Sequence, residues 1–432
     1  MDLVKKVSLL LEKIEKEDKK INSFLHVNKN IINEAKDLEK KQKKGRLFGY
    51  VFGIKSNINV KGLPITCGSK TLENYLGSYN ATAIEKIRGE DGLIIGMCNM
   101  DEFASGVSGE NSAFGPTKNP LDLELIPGGS SSGSAAAVAA GFCDIALGSD
   151  TGGSVRNPAS HCGLVGLKPS YGLVSRYGLI DLCMSIDQIG ILSKNVSDSA
   201  LVLDVIKGQD NFDTTTFESE KIKIAPLKEL NLGILKIKGV SKQIQQIIDI
   251  KTSLLLEKHK FKAKEVEIKH IELAVETYVP LVFSEFFSNT RRFDGKKYGK
   301  NIDEFSGEEV LRRLLGGSEI TKAEFEGEYY EKALLVKSLI KEEFESIFKK
   351  IDAIILPTVP SLPWKIGDKS KMSLEDVYAI DALTIPANLA EVCAISVPAG
   401  SIQNIPIGLQ IICPKGKESL LFSIAKLFED LK

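Results

Sequence analysis

The 432-residue sequence predicts an α/β protein: a central mixed β-sheet flanked by helices on both faces, with a helical elaboration laid over it. Short apolar runs of strand length recur along the chain, and segments with a helical apolar period lie between several of them. Residues 240–350 differ in texture, being charged and helix-periodic. The length exceeds one average domain yet suits a single large α/β core, so residues 1–432 are read as one domain.

In chain order, residues 2–20 place Leu3, Val7, Leu10, Leu11 and Ile14 on one helical face with Lys and Glu opposite. A second polar helix is expected at 30–44, ending at Gly45, so that residues 1–45 form an N-terminal helical layer. The run Leu47–Ile54 reads as a buried strand that delivers Lys55 at its end. Further strands are expected at 93–97, 143–147, 352–356, 393–397 and 407–412. The segment 240–350 is read as a helical elaboration over one side of the sheet, interrupted at Phe293-Asp-Gly and at Leu315-Gly-Gly. Polar stretches at 207–221 and 363–375 read as surface loops.

Composition excludes several function classes. With 56 Lys+Arg against 57 Asp+Glu the net charge is -1, which argues against this chain alone gripping a nucleic-acid backbone. Seven scattered cysteines, with no CxxC spacing, fit structural thiols in a reducing cytosol. No apolar run approaches 18 residues and the N-terminus has no secretory h-region, so a cytoplasmic protein without a membrane segment is expected. No metal-ligand constellation stands out.

The chemistry concentrates in two glycine-serine loops, Pro127-Gly-Gly-Ser-Ser-Ser-Gly-Ser-Ala-Ala-Ala-Val-Ala-Ala-Gly141 and Leu147-Gly-Ser-Asp-Thr-Gly-Gly-Ser-Val-Arg156. They gather backbone N–H groups and hydroxyls without bulky side chains, a composition suited to oxyanion chemistry. Neither loop contains a phosphate-binding GxxxxGK[ST] or GxGxxG pattern. Gly129–Gly133 does satisfy GxSxG with Ser131 central, but Pro127 interrupts the strand such an elbow needs. Of the four histidines, His259 and His270 lie in charged helical sequence. A serine nucleophile without histidine requires another base, and burial can lower a lysine by roughly 3 to 5 pKa units. Lys55 is the best-placed candidate, whereas the Ser338/Lys341 pair sits on a charged helix face.

These loops, continued through Asn157-Pro-Ala159 and Cys162-Gly-Leu-Val-Gly-Leu-Lys-Pro-Ser170, closely resemble the signature of the amidase signature family, and so imply its fold. The resemblance implies a Ser-Ser-Lys triad: nucleophile Ser154, bridging serine Ser130 on a cis peptide bond, and base Lys55, at intervals of 24 and 99 residues from Ser154. It implies an oxyanion hole from the backbone of Thr151, Gly152 and Gly153. Ser56 and Ser132 depart from the family's usual aspartate and glycine.

Within the family the chain is similar to the glutaminase subunits of tRNA-dependent amidotransferases. That likeness rests on Asn99–Gly106, Gly109–Pro120, Tyr171–Leu179, Ser185–Gly190 and Arg292–Gly299. It implies glutamine as substrate, with Arg313 on the α-carboxylate, Asp381 on the α-ammonium and Tyr278 beside the side-chain amide. It implies partner subunits B and C in a heterotrimer, with ATP, Mg and most of the mischarged tRNA contact in the partner and no cofactor in this chain. A stand-alone small-amide hydrolase and an inactive scaffold subunit are the alternatives.

Overall fold

The computed structural model describes residues 2–322 and 327–431. Residues 323–326, inside the segment read as the helical elaboration, lie outside the described residues. Among the described residues eleven strands form one mixed sheet: β1 (Phe24–Val27), β2 (Val51–Lys55), β3 (Leu93–Cys98), β4 (Ile145–Asp150), β5 (Val165–Lys168), β6 (Gln188–Ser193), β7 (Asn231–Leu235), β8 (Lys262–Val266), β9 (Ala353–Pro357), β10 (Cys393–Ile402) and β11 (Ile405–Cys413). Their order is β1-β3-β2-β4-β6-β5-β10-β11-β9-β7-β8. Parallel pairing joins β3, β2 and β4, and joins β8, β7 and β9, while the strands between are antiparallel.

Both faces of the sheet are covered, which explains the continuous apolar runs. Along β4, Ile145 and Leu147 join one core cluster and Ala146 another, the two-residue period of a strand with two dry faces. The first cluster packs beneath the helices Thr82–Gly89, Val196–Ile206, Lys242–His259 and Glu418–Glu429. The other lies under the N-terminal helices Leu3–Ile21 and Ile31–Lys40 and the alanine-rich helix Ser132–Ala139. Small side chains let that last helix sit close: a Cβ on Gly133 would fall 2.4 Å from the Asn99 nitrogen and from the Ser23 carbonyl oxygen.

Several expected boundaries shift. Residues 47–49 form a turn, so β2 starts at Val51 and Lys55 is its last residue. β4 lies two to three residues later than the expected 143–147 and ends at Asp150. The strands β1, β5, β6, β7 and β8 are additional to the expected set. β7 and β8 add a sheet edge, and β8 falls inside the segment 240–350 that reads as purely helical. Leu315-Gly-Gly does not interrupt a helix. Glu308–Ile320 runs through it because a Cβ on Gly316 would meet the Phe283 ring at 2.6 Å, and one on Gly317 the Phe283 carbonyl at 2.1 Å. These glycines permit close packing of Glu308–Ile320 on the helix Ala274–Thr290.

Candidate active site

The parallel pair β2 and β4 fixes the site. Phe52, Gly53 and Ile54 lie opposite Ile145, Ala146 and Leu147, so the carboxyl ends of the two strands bring Lys55 beside Ser149 and Asp150. Crevices at the carboxyl ends of parallel strands are the usual ligand sites of α/β sheets.

Lys55 is wholly buried, and burial brings its amine down to about 7 against the opposing pull of Asp101, Asp150 and Asp187. Its Nζ donates to Ser130 Oγ at 2.7 Å, Ser149 Oγ at 2.9 Å and the Ser149 carbonyl at 3.3 Å. The Gly129–Ser130 peptide is cis. Asp101 cradles this turn: its backbone N–H donates to the Ser130 carbonyl at 3.2 Å, and a Cβ on Gly129 would fall 2.1 Å from Asp101 Oδ2. Ser131 closes the two loops on each other, its N–H donating to the Ser154 carbonyl at 3.1 Å and its hydroxyl to the Ser149 carbonyl at 3.2 Å. The hydroxyl of the GxSxG serine is thus engaged within the fold. Ser154 keeps 4% exposure.

The segment leading to Ser154 is clamped from below. Asp150 and Arg156 form a wholly buried ion pair at 2.8 Å; burial raises the carboxyl but the guanidinium holds it down to about 2. Arg156 also donates to the Thr384 carbonyl at 2.9 Å, Gln410 at 2.6 Å and Asn388 at 2.6 Å, tying the loop to residues 384–388 and to β11. Thr151 Oγ1 donates to the buried Asp187 at 2.7 Å, and burial pushes that carboxyl up to about 7. Thr384 Oγ1 donates to the Gly152 carbonyl at 2.6 Å.

The next position leaves little room for a side chain, and the one after it requires glycine. A Cβ on Gly152 would meet the Tyr278 ring at 3.0 Å, and one on Gly153, at φ +146, would meet Thr384 Oγ1 at 2.2 Å and Asp381 Oδ1 at 2.8 Å. Thr151, Gly152, Gly153, Tyr278 and Asp381 therefore gather around Ser154. Tyr278 reaches it from the helix Ala274–Thr290, and Asp381 from the turn before the helix Ile385–Leu389. Asp381 accepts from Asn157 at 3.2 Å, and burial pushes its carboxyl up to about 8. Arg313, on Glu308–Ile320, is 2% exposed and lies within electrostatic reach of both Tyr278 and Asp381. Its Nε donates to Glu309 at 2.9 Å, while its Nη1 is buried with no hydrogen-bond partner among the described residues. A buried unsatisfied guanidinium nitrogen invites an anionic ligand.

With this geometry in place, the sequence pattern of the Amidase family matches residues 5–422. The chain belongs to the amidase family. This amidase is 50% identical over 418 residues, covering 95% of either chain, to the A-type subunit of the glutamyl-tRNA(Gln) amidotransferase of Methanocaldococcus jannaschii. It is 47% identical over 422 residues to the equivalent subunit of Methanothermobacter thermautotrophicus, covering 96% of this chain and 92% of that one. Among solved structures, the A-type subunit of the Thermotoga maritima glutamyl-tRNA(Gln) amidotransferase superposes with a TM-score of 0.86 at 38% identity, covering all of this chain and 92% of that one. The 6-aminohexanoate cyclic dimer hydrolase, at TM-score 0.89 and 23% identity over 99% of this chain and 93% of that one, shares the fold.

The two departures from the family pattern are absorbed locally. Ser56 Oγ bonds Thr66, accepting from its N–H at 3.0 Å, and Ser132 donates to Thr117 at 3.2 Å. Asp101, Ser149, Arg156 and Asp187 also belong to the site, though no sequence pattern marks them individually. All four lie inside the motif segments, but only their long-range partners reveal their roles. Among the described residues of this amidase no His, Cys, Asp or Glu group could hold a metal ion, and no helix is long and apolar enough to cross a membrane.

Proposed function

We propose that this amidase is the glutaminase subunit of a tRNA-dependent amidotransferase of the glutaminyl-tRNA synthase (glutamine-hydrolysing) type. The observation that carries the reading is the Lys55–Ser130 hydrogen bond of 2.7 Å in a wholly buried setting that lowers the amine to about 7. A lysine so placed is a competent base at neutral pH. Neutral Lys55 takes the proton of Ser130 as Ser130 takes that of Ser154, and Ser154 Oγ attacks the side-chain amide carbon of glutamine. Backbone N–H groups of Thr151, Gly152 and Gly153 hold the oxyanion, where one such donor is worth roughly 3 to 4 kcal/mol. The relay then returns a proton to the leaving nitrogen, ammonia departs, and water hydrolyses the acyl-enzyme to glutamate.

Arg313 and Asp381 select the substrate. Free glutamine carries an α-carboxylate and an α-ammonium, which match the unsatisfied guanidinium nitrogen and the buried carboxyl. A bound ammonium would draw Asp381 back to its anionic form. A site for simple apolar amides gains nothing from this pair. Partner subunits B and C complete a cytoplasmic heterotrimer, in which a partner uses ATP and Mg to activate Glu-tRNA(Gln), or Asp-tRNA(Asn), and accepts the ammonia. The chain's net charge of -1 is consistent with tRNA being held mainly by a partner. Co-purification with native partners and a glutamine-dependent amidation assay on both mischarged tRNAs tests the assignment. Amidation of neither would overturn it.

A further inference from the structure

The hydrogen-bond geometry around Lys55 assigns a task to a residue outside the triad. A neutral amine has two N–H donors and one lone pair, and it can act as base toward Ser130 only if that lone pair faces Ser130 Oγ. Its three close neighbours are Ser130 Oγ at 2.7 Å, Ser149 Oγ at 2.9 Å and the Ser149 carbonyl oxygen at 3.3 Å. The carbonyl can only accept, so it takes one N–H. The other N–H and the lone pair are then divided between the two hydroxyls.

Asn57 bears on that division. Its Nδ2 donates to the Ile180 carbonyl at 3.3 Å, which fixes the orientation of the amide, and to Ser149 Oγ at 3.1 Å, which occupies one of that oxygen's two lone pairs and leaves the other open to a Lys55 N–H. Once Lys55 is protonated its three N–H donors need three acceptors, and Ser149 supplies two of them. Ser149 Oγ can thus accept from Lys55 both before and after proton transfer without turning its hydroxyl, and only that arrangement leaves the lone pair on Ser130. We propose that Ser149, held by Asn57, is a positioning residue that aims the Lys55 lone pair at Ser130 and completes the coordination of the lysine ammonium as the proton arrives. The proton passes from Ser130 to the Lys55 nitrogen while that of Ser154 passes to Ser130, and no other group gains or loses one.

This inference rests on the Ser-Ser-Lys reading, and its test separates the two. Ser154 of the full chain is sulfonylated with a sulfonyl fluoride, and the rate is followed by intact mass across pH while glutaminase activity is measured in parallel. The titratable groups facing Lys55 are Asp101, Asp150, Asp187 and Cys67, and all are kept. Ser149→Ala removes one acceptor of the ammonium. Its plateau rate is expected to fall about 10-fold, and its acid limb to move to lower pH, because the charged form loses more than the neutral one. Ser149→Thr keeps the hydroxyl and is expected to restore the rate to within about 2-fold and the limb to its original place. A Ser149→Ala limb identical to that of the unaltered protein, or a Ser149→Thr variant as slow as Ser149→Ala, overturns the proposal. Should Ser149→Ala fail to fold, Asn57→Ala frees the Ser149 hydroxyl. It is expected to slow sulfonylation about 3-fold, and an unchanged rate overturns the proposal equally. Ser154→Ala must abolish the labelling; if labelling persists there, it is the nucleophile assignment that has failed.

Discussion

The lowered amine of Lys55 makes the pH dependence of turnover the most informative perturbation. The lysine is active as a base only when neutral, so turnover is present above its pKa and lost as pH falls through it. At about 7, the neutral fraction is roughly nine-tenths at pH 8, half at pH 7 and a tenth at pH 6, so kcat should drop about 10-fold between pH 8 and pH 6. An ordinary lysine near 10.4 would instead be less than about 1% neutral at pH 8, and kcat would climb about 10-fold per pH unit to pH 10. Asp381, pushed up to about 8, titrates nearby, but in the proposed reading it receives the substrate ammonium, so its ionisation is expected to belong to glutamine binding and to appear in KM. The assay is glutamate release at saturating glutamine from pH 5.5 to 9.5, repeated with Asp381→Asn, which should raise KM and leave the kcat limb in place. A flat kcat over that range, or one still rising at pH 9.5, would refute the buried-base reasoning.

Other outcomes follow from the same geometry. Arg313→Ala should raise KM for glutamine by about 100-fold, the loss of a charge-assisted hydrogen bond, while hydrolysis of a simple amide without an α-carboxylate changes little; steady-state kinetics on both substrates checks this. Gly153→Ala should retain the fold by circular dichroism yet lose more than about 100-fold in kcat, because its Cβ collides with Thr384 Oγ1 at 2.2 Å at a φ of +146 and displaces the backbone proposed to hold the oxyanion. Arg156→Met strands the anionic Asp150 in the core and should cost about 3 to 5 kcal/mol in chemical denaturation. Asp187→Leu removes the acceptor of the Thr151 hydroxyl, 2.7 Å away, and should lower kcat by about 10-fold with KM little changed.

Much of this was legible in the sequence because the chemistry is local. The α/β class, the N-terminal helix and the strands at 93, 353, 393 and 407 followed from apolar runs and periods, and the glycine-serine loops marked the two segments that meet beside Lys55. Three of the five unexpected strands show why the sequence hides them. β5 lies within, and β6 begins within, motif segments whose glycines and polar residues mask a strand signal, and β8, Lys-Ala-Lys-Glu-Val, is an edge strand with a mostly exposed, charged surface. Gly316 and Gly317 looked like a helix break because their purpose is tertiary, the approach to Phe283. In the site, residue types and spacing singled out Lys55 and the loops. Ser149, Asp101 and Asp187 act through partners 94, 29 and 36 residues away in sequence, and no local pattern reports such distances.

If Ser154 frees ammonia from glutamine for use by a partner subunit, removing its hydroxyl must block glutamine as a nitrogen source and spare free ammonia. The chain carrying Ser154→Ala, assembled with its native partners, is supplied with mischarged tRNA, ATP and either glutamine or ammonium chloride. Amidation from ammonium chloride at close to the original rate, and none above background from glutamine, is the expected result. Glutamine-dependent amidation surviving the substitution would contradict it.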